Sequence, residues 1–274
     1  MDVIRRRPMG AGRRPSPARW ALIVYCTLVF VFLMLPLIVV FPISFSSAQS
    51  LQFPPPGYSL RWYKVYVNDP VWMAATWRSL HIALWTTVLS TVLGTLLAFS
   101  IVRGRYPGKG LVNQVATAPL IVPTIIYSIA VYGLFAGLKV IGNWQGIVLG
   151  HTVHALPFVV LIVGAALRTF DMAQEQAAEG LGASRLTAIR RVTLPQIRPA
   201  LISAAFLAFI SSFDELVIAM FLGGANVTLP KKMFDNIQLE IEPTVAAVSV
   251  LQIVLVTVVL MLAARFGSGA RPVA

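Results

Sequence analysis

The sequence predicts an all-α integral membrane protein of about six transmembrane helices, on three observations. Apolar residues make up 57% of the 274 residues and charged residues only 12%, about half the share usual in a soluble domain. The apolar residues gather in six runs, each near the ~20 residues a helix needs to cross the hydrocarbon core. The charges collect in the gaps between those runs and are uneven between the two sides. Of the 22 Lys and Arg, only Arg61, Lys64, Arg78, Lys139, Lys231 and Lys232 fall on one side, and the remaining sixteen fall on the other. The positive-inside rule then puts both termini in the cytoplasm. It also accounts for the formal net charge of +12 without a nucleic-acid partner. A chain this short cannot bury so much apolar surface in an aqueous core, so the lipid bilayer is its solvent.

The elements follow in order. Residues 1–19 form a basic tail, with Pro8, Gly10, Gly12, Pro15 and Pro17 among six arginines, a composition that reads as disordered and near anionic lipid. The first span runs from Trp20 to Ser44. It is too long for the h-region of a signal peptide, and Cys26 inside it packs as a small apolar residue. The next outer stretch, Ser46 to Arg78, starts with Pro54, Pro55, Pro56 and Gly57, which forbid a regular helix there. Around Leu60–Tyr66 a short interfacial helix is expected. The second span covers Ser79–Val102, the third Leu111–Leu138 and the fourth Gly146–Leu167. The fifth covers Ala200–Leu222 and the sixth Val245–Ala264, followed by a tail at 266–274. Trp20 sits where an inner interfacial anchor belongs, and Trp62, Trp72 and Trp77 sit near the outer face. Pro119, Pro123 and Pro157 are expected to kink their helices.

The segment between spans four and five, residues 168–198, is too polar for lipid and too patterned for a linker. Ala177, Ala178 and Leu181 share a helical face. Gly182 ends that turn in a left-handed conformation, and Ser184 caps a second short helix. Leu186, Ile189 and Val192 form an apolar stripe while Arg185, Arg190 and Arg191 point elsewhere. Pro195 is expected to stop this helix before span five.

Gln176-Ala177-Ala178, then Gly182, then Val192-Thr193-Leu194-Pro195 ten residues on, resembles the cytoplasmic coupling motif of ABC importer permeases. That motif reads Glu-Ala-Ala, a glycine, and Ile-x-Leu-Pro. Gln176 replaces its leading Glu, with Glu175 and Glu179 as neighbours, and Val192 replaces its Ile. Further stretches extend the resemblance: Pro119-Leu-Ile-Val-Pro123, Leu149-Gly-His-Thr152, Leu156-Pro-Phe-Val-Val160, and Ser212-Phe-Asp-Glu-Leu-Val-Ile218 followed by Gly223-Gly224. Together they are similar to the second permease subunit of the spermidine/putrescine type of importer. The resemblance implies the type I permease fold over residues 20–265. It implies that Gln176, Ala177, Ala178, Glu179, Gly182, Leu186, Ile189, Val192, Leu194 and Pro195 couple to a cytoplasmic ATPase dimer. It implies a second permease subunit, a related but different chain, and a periplasmic substrate-binding protein. ATP and Mg belong to the ATPase, and this chain binds no cofactor. Gly104 to Gly110 has the wrong spacing for a phosphate loop, and no Ser or Thr follows Lys109.

Asp214 and Glu215 fall inside the fifth apolar run, where an ionisable group costs roughly 2.5–3.5 kcal/mol on insertion scales. Such groups face a bundle interior or an aqueous path, so both are candidates for lining the path of a cationic substrate, together with Tyr127 and His151. Adjacent residues differ by about 100° around a helix, so the two acids do not both face one pore. His151 and His154 share a helical face but lack the further ligands of a metal site; buried hydrogen-bonding histidines are the plainer reading. No nucleophile–base constellation is visible, and the chain reads as a transport subunit and not an enzyme. The competing reading is an ion-coupled secondary transporter or channel using Asp214 and Glu215.

Overall fold

A computed structural model describes residues 17–239 and 242–267. Of the tail expected at 1–19, residues 1–16 lie outside the described residues, and most of the C-terminal tail does too. Among the described residues the chain is helical, with one isolated antiparallel bridge between Ser46 and Tyr58 and no strand.

The helices are α1 (Pro17–Ser44), α2 (Arg61–Asn68), α3 (Pro70–Arg103), α4 (Lys109–Thr117), α5 (Thr124–Gly137), α6 (Trp144–Thr169), α7 (Met172–Gly180), α8 (Arg185–Ala188), α9 (Leu194–Gln196), α10 (Arg198–Phe213), α11 (Val217–Leu222), α12 (Leu229–Leu239) and α13 (Thr244–Gly267). Among the described residues, α1, α3, α6 and α13 are each long and apolar enough to cross a membrane alone. Two bent pairs bring the possible spans to six. The expected helix at Leu60–Tyr66 appears as α2.

α6 lies at the centre, packed with α3 and α10 in a group of three helices that all touch one another. Ala98 of α3, Ala155, Val159, Val163 and Leu167 of α6, and Ala204 and Ala208 of α10 form the core of that contact. Small side chains let the backbones approach, which drives helix association in lipid, where the hydrophobic effect between helices is weak. At Gly94 the approach is closest: a Cβ there would sit 2.7 Å from the Cβ of Val159. α1, by contrast, leans on α13 and keeps its apolar surface exposed. The 34 residues of α3 make a rod about 50 Å long at 1.5 Å per residue. That exceeds the ~30 Å hydrocarbon core. At its start Asp69 caps it, accepting from the amides of Val71 and Trp72. The amphipathic α12 packs nearby: Leu229 N donates to Ser79 Oγ at 2.8 Å, and Arg78 donates to Val227 O at 2.9 Å. α12 lies between the fifth and sixth expected spans and is too short to cross the membrane.

Two expected spans are not continuous. The third breaks at Pro119–Pro123, where α4 and its 3-10 extension meet α5 at 109°. Pro123 offers no N–H and disfavours helix in the residue before it, so the chain reverses its course instead of kinking. The 14 residues of α5 reach only about 21 Å. The fifth span breaks at Asp214–Leu216, between α10 and α11. No proline lies at this break; the Glu215 carboxylate caps the helix that follows it. Pro157, expected to kink its helix, sits buried within the uninterrupted α6.

Candidate functional site

The loop from 168 to 198 folds on local signals first. Asp171 caps α7, its carboxylate accepting from Ala173 N at 2.9 Å. After α7 the chain turns through Gly182, whose φ of +93° lies in the left-handed region that costs a side-chain-bearing residue about 1–2 kcal/mol. Ala183 N donates back to Ala178 O at 3.0 Å, closing the helix end. Ser184 then caps α8, accepting from Thr187 N at 3.3 Å.

Pro195 does not stop this second helix. The helix widens into a π turn at Ile189–Thr193, where Leu194 N donates to Ile189 O, and continues to Gln196. A proline amide cannot bond the carbonyl four residues back and its ring crowds that carbonyl; the wider turn ahead of Pro195 relieves both. The stop falls at Ile197, where the axis turns by 70° into α10, whose first turn holds Pro199.

The loop is fastened by a group that the sequence pattern did not single out. Glu175 is 2% exposed. Its Oε2 accepts from Arg103 Nη1 at 2.7 Å and from Thr193 Oγ1 at 2.5 Å. The Arg103 guanidinium lies over the rings of Phe99 at 5.0 Å and Phe170 at 5.4 Å. One carboxylate thus joins α7, the π turn and the end of α3. Gln174 and Gln196 hydrogen-bond across the same loop. Gln176, at the leading motif position, is exposed, as are Ala177, Glu179, Gly182, Leu186 and Pro195; Ala178, Ile189, Val192 and Leu194 are half-buried. Leu181, expected beside Ala177 and Ala178, instead caps the end of α7 and is 91% exposed. An uncovered leucine beside a fixed turn, with Leu186 also outward, is a surface that a partner protein can cover.

The second site is the break between α10 and α11. α10 ends at Phe213, with Asp214 N donating to Ile210 O. Glu215 Oε1 then accepts from Val217 N at 2.9 Å and Ile218 N at 3.1 Å. A carboxylate on the free amides of a helix start is favoured by hydrogen bonding and by the helix dipole, and that makes the break stable inside an apolar bundle. The other oxygen of Glu215 lies 3.7 Å from His154 Nε2, and His154 in turn faces the ring of Tyr127 at 5.9 Å. Tyr127 donates to Gly150 O at 2.8 Å, tying α5 to α6. Asp214 points to a different neighbour, accepting from Gln252 of α13 at 2.9 Å, and is exposed. The two acids therefore diverge: Glu215 toward α5 and α6, Asp214 toward α13. His151 lies in the packed α6–α10 contact, 2% exposed, with Nδ1 2.8 Å from Ser212 Oγ. His154, not His151, shares the cluster with Glu215 and Tyr127. Among the described residues no group of three or more His, Cys, Asp or Glu could hold a metal ion.

Residues 90–271 match the family described as the binding-protein-dependent transport system inner membrane component. The chain is 34% identical over 237 residues to the putrescine transport system permease protein PotI of Escherichia coli, covering 84% of each chain. It is 30% identical to the spermidine/putrescine transport system permease protein PotC of the same organism, over 84% of this chain and 88% of that one. Its fold is similar to a chain in the crystal structure of a bacterial ABC transporter that imports the acidic polysaccharide alginate. That likeness has a TM-score of 0.74 at 18% identity and covers 93% of this chain and 99% of the other.

Proposed function

The chain belongs to the family of inner membrane components of binding-protein-dependent transport systems, and from that premise we propose a cationic amine as its cargo and the 168–198 loop as its point of drive. It is a multi-pass inner-membrane permease subunit of an ABC importer. In the proposed assembly it pairs with a second, related permease under a periplasmic binding protein. An ATPase dimer that holds ATP and Mg covers the loop face, which is then cytoplasmic and carries most of the arginines.

Closure of the ATPase pair moves the loop through its exposed residues, Leu181 and Leu186 foremost. Because Glu175 joins α7 and the π turn to Arg103, and because Ile197 belongs to the α6–α10 core, the loop moves with α3, α6 and α10 as one body. The break at 214–216 is where α11 can change its angle to α10. Discontinuous helices of this kind carry substrate sites in other transporters, with helix C-terminal carbonyls facing the cation.

The observation that carries the cargo reading is Asp214: an exposed carboxylate in the middle of an apolar run, beside the carbonyl end of α10. An ammonium group fits both the charge and the carbonyls. PotI and PotC are described as putrescine and spermidine/putrescine permeases, and a diamine or triamine suits the same site. The test is uptake of labelled putrescine and spermidine by the reconstituted complex with its own binding protein. ATP-dependent uptake of either, lost with the ATPase and indifferent to ion gradients, supports the reading. Binding-protein affinity for an anionic or neutral solute alone refutes the cargo while leaving the permease role intact.

A further inference from the structure

On the loop face, the ends of α3 and α6 and the starts of α7 and α8 border an open cavity of about 860 Å³. Arg103, Arg105, Lys109, Arg168 and Arg185 line it, and among the described residues no carboxylate does. Glu175 lies behind, already engaged by Arg103 Nη1 and Thr193. Arg103 is the decisive member. Its side chain is only 9% exposed, yet its Nε and Nη2 have no hydrogen-bond partner. A buried guanidinium with idle donors is costly, and among charged side chains it is the one best shaped to grip a phosphate with two parallel bonds. Lys109 reaches only carbonyl oxygens, those of Val102 and Gly104. Arg105, Arg168 and Arg185 stand exposed around the cavity.

We propose that this cavity binds the phosphodiester headgroup of an anionic phospholipid. Two further features favour a lipid. Arg103 and Arg168 end the membrane-crossing helices α3 and α6, which places the cavity at the depth of the headgroups. Val102, Phe170 and Met172 add apolar surface to the same wall, along which an acyl chain can lie. Basic pockets between spans on the cytoplasmic side are suited to such headgroups. The inference is independent of the cargo.

The test uses the intact importer in nanodiscs of phosphatidylcholine carrying a trace of photoactivatable phosphatidylglycerol. Labelling is mapped by mass spectrometry in the complete complex and in an Arg105→Gln/Arg168→Gln variant. Neither of those side chains touches the loop anchor, so the variant is expected to assemble, which gel filtration checks. The expected result is label on peptides around 102–109 and 165–172, reduced roughly thirtyfold in the variant, since each of the two basic groups removed contributes about 1 kcal/mol to anionic lipid binding. Equal labelling of both proteins overturns the proposal. So does complete competition by inorganic phosphate, which would mark a soluble-anion site. Labelling only after the ATPase is stripped away also overturns it, because the cavity would then belong to that subunit's acidic surface.

Discussion

The loop at 168–198 and the break at 214–216 both depend on carboxylates in unusual places, and they use them in opposite ways. Glu175 is paired and sealed: one oxygen takes an arginine and a threonine, and the residue is 2% exposed. Asp214 is exposed and holds a single neutral partner, Gln252. The first arrangement makes a firmly held joint, since a buried ion pair loses several kcal/mol when one partner is removed. The second leaves a charge that a mobile cation can answer. Glu215 stands between the two, half-buried, with one oxygen on helix amides and the other near His154.

Replacing one partner of the sealed pair gives the largest expected effect. Glu175→Ala leaves Arg103 buried without its counter-charge and should weaken the anchoring of the loop by about 3–5 kcal/mol. ATP-driven uptake should be abolished while the complex still inserts. A double variant, Arg103→Leu with Glu175→Leu, should recover part of the uptake, because apolar pairs substitute well for buried ion pairs. If the single variant transports normally, Glu175 is not the joint.

Asp214→Asn comes next. It keeps the hydrogen bond to Gln252 but removes the charge, so uptake of a diamine at low concentration should fall about tenfold, the value of one charged hydrogen bond. The loss should appear in KM more than in the maximal rate, and stability should not change. An unaltered KM would remove Asp214 from the path.

Gly182→Val tests the turn. The left-handed backbone at φ +93° should cost a β-branched residue about 1–2 kcal/mol, felt as reduced ATPase coupling with the membrane helices intact by circular dichroism. Full coupling would mean that the turn tolerates rearrangement and that its exposed leucines alone suffice.

Glu215→Gln should be mildest. The amide oxygen still accepts from Val217 and Ile218; the charge lost at the helix start is worth about 0.5 kcal/mol, and the carboxylate oxygen 3.7 Å from His154 Nε2 becomes neutral. A drop in uptake as large as that of Asp214→Asn would erase the distinction drawn between the two acids and move the cation site toward His154 and Tyr127.

Much of the loop was legible from sequence because its signals are local. Gly182, Ser184 and the Asp171 start act on amides within a few residues. The break was not legible for the opposite reason: an apolar run containing Asp214 and Glu215 has the hydropathy of a span, and hydropathy does not record that a carboxylate has turned back onto its own backbone. Pro195 misled in a related way. A proline signals strain in a helix, but a single π turn absorbed that strain and moved the stop to Ile197. At Pro119 and Pro123 the same residue type did more than kink, reversing the chain by 109°.

By itself the sequence determined the solvent of this protein, the number of possible spans, the uneven charge of the two faces and the two-helix plan of the loop. Each is set by composition or by neighbours within a turn or two. The tertiary structure alone decided that Glu175 is buried and the motif-leading Gln176 is exposed. It also decided that Asp214 and Glu215 part toward different helices and that His154, not His151, joins Glu215. These assignments depend on partners 72, 38 and 61 positions away, namely Arg103 for Glu175, Gln252 for Asp214 and Ser212 for His151. Only the packing of α3, α6, α10 and α13 brings such partners within hydrogen-bond reach, and nothing in a residue's own neighbourhood encodes which of two adjacent side chains will meet them.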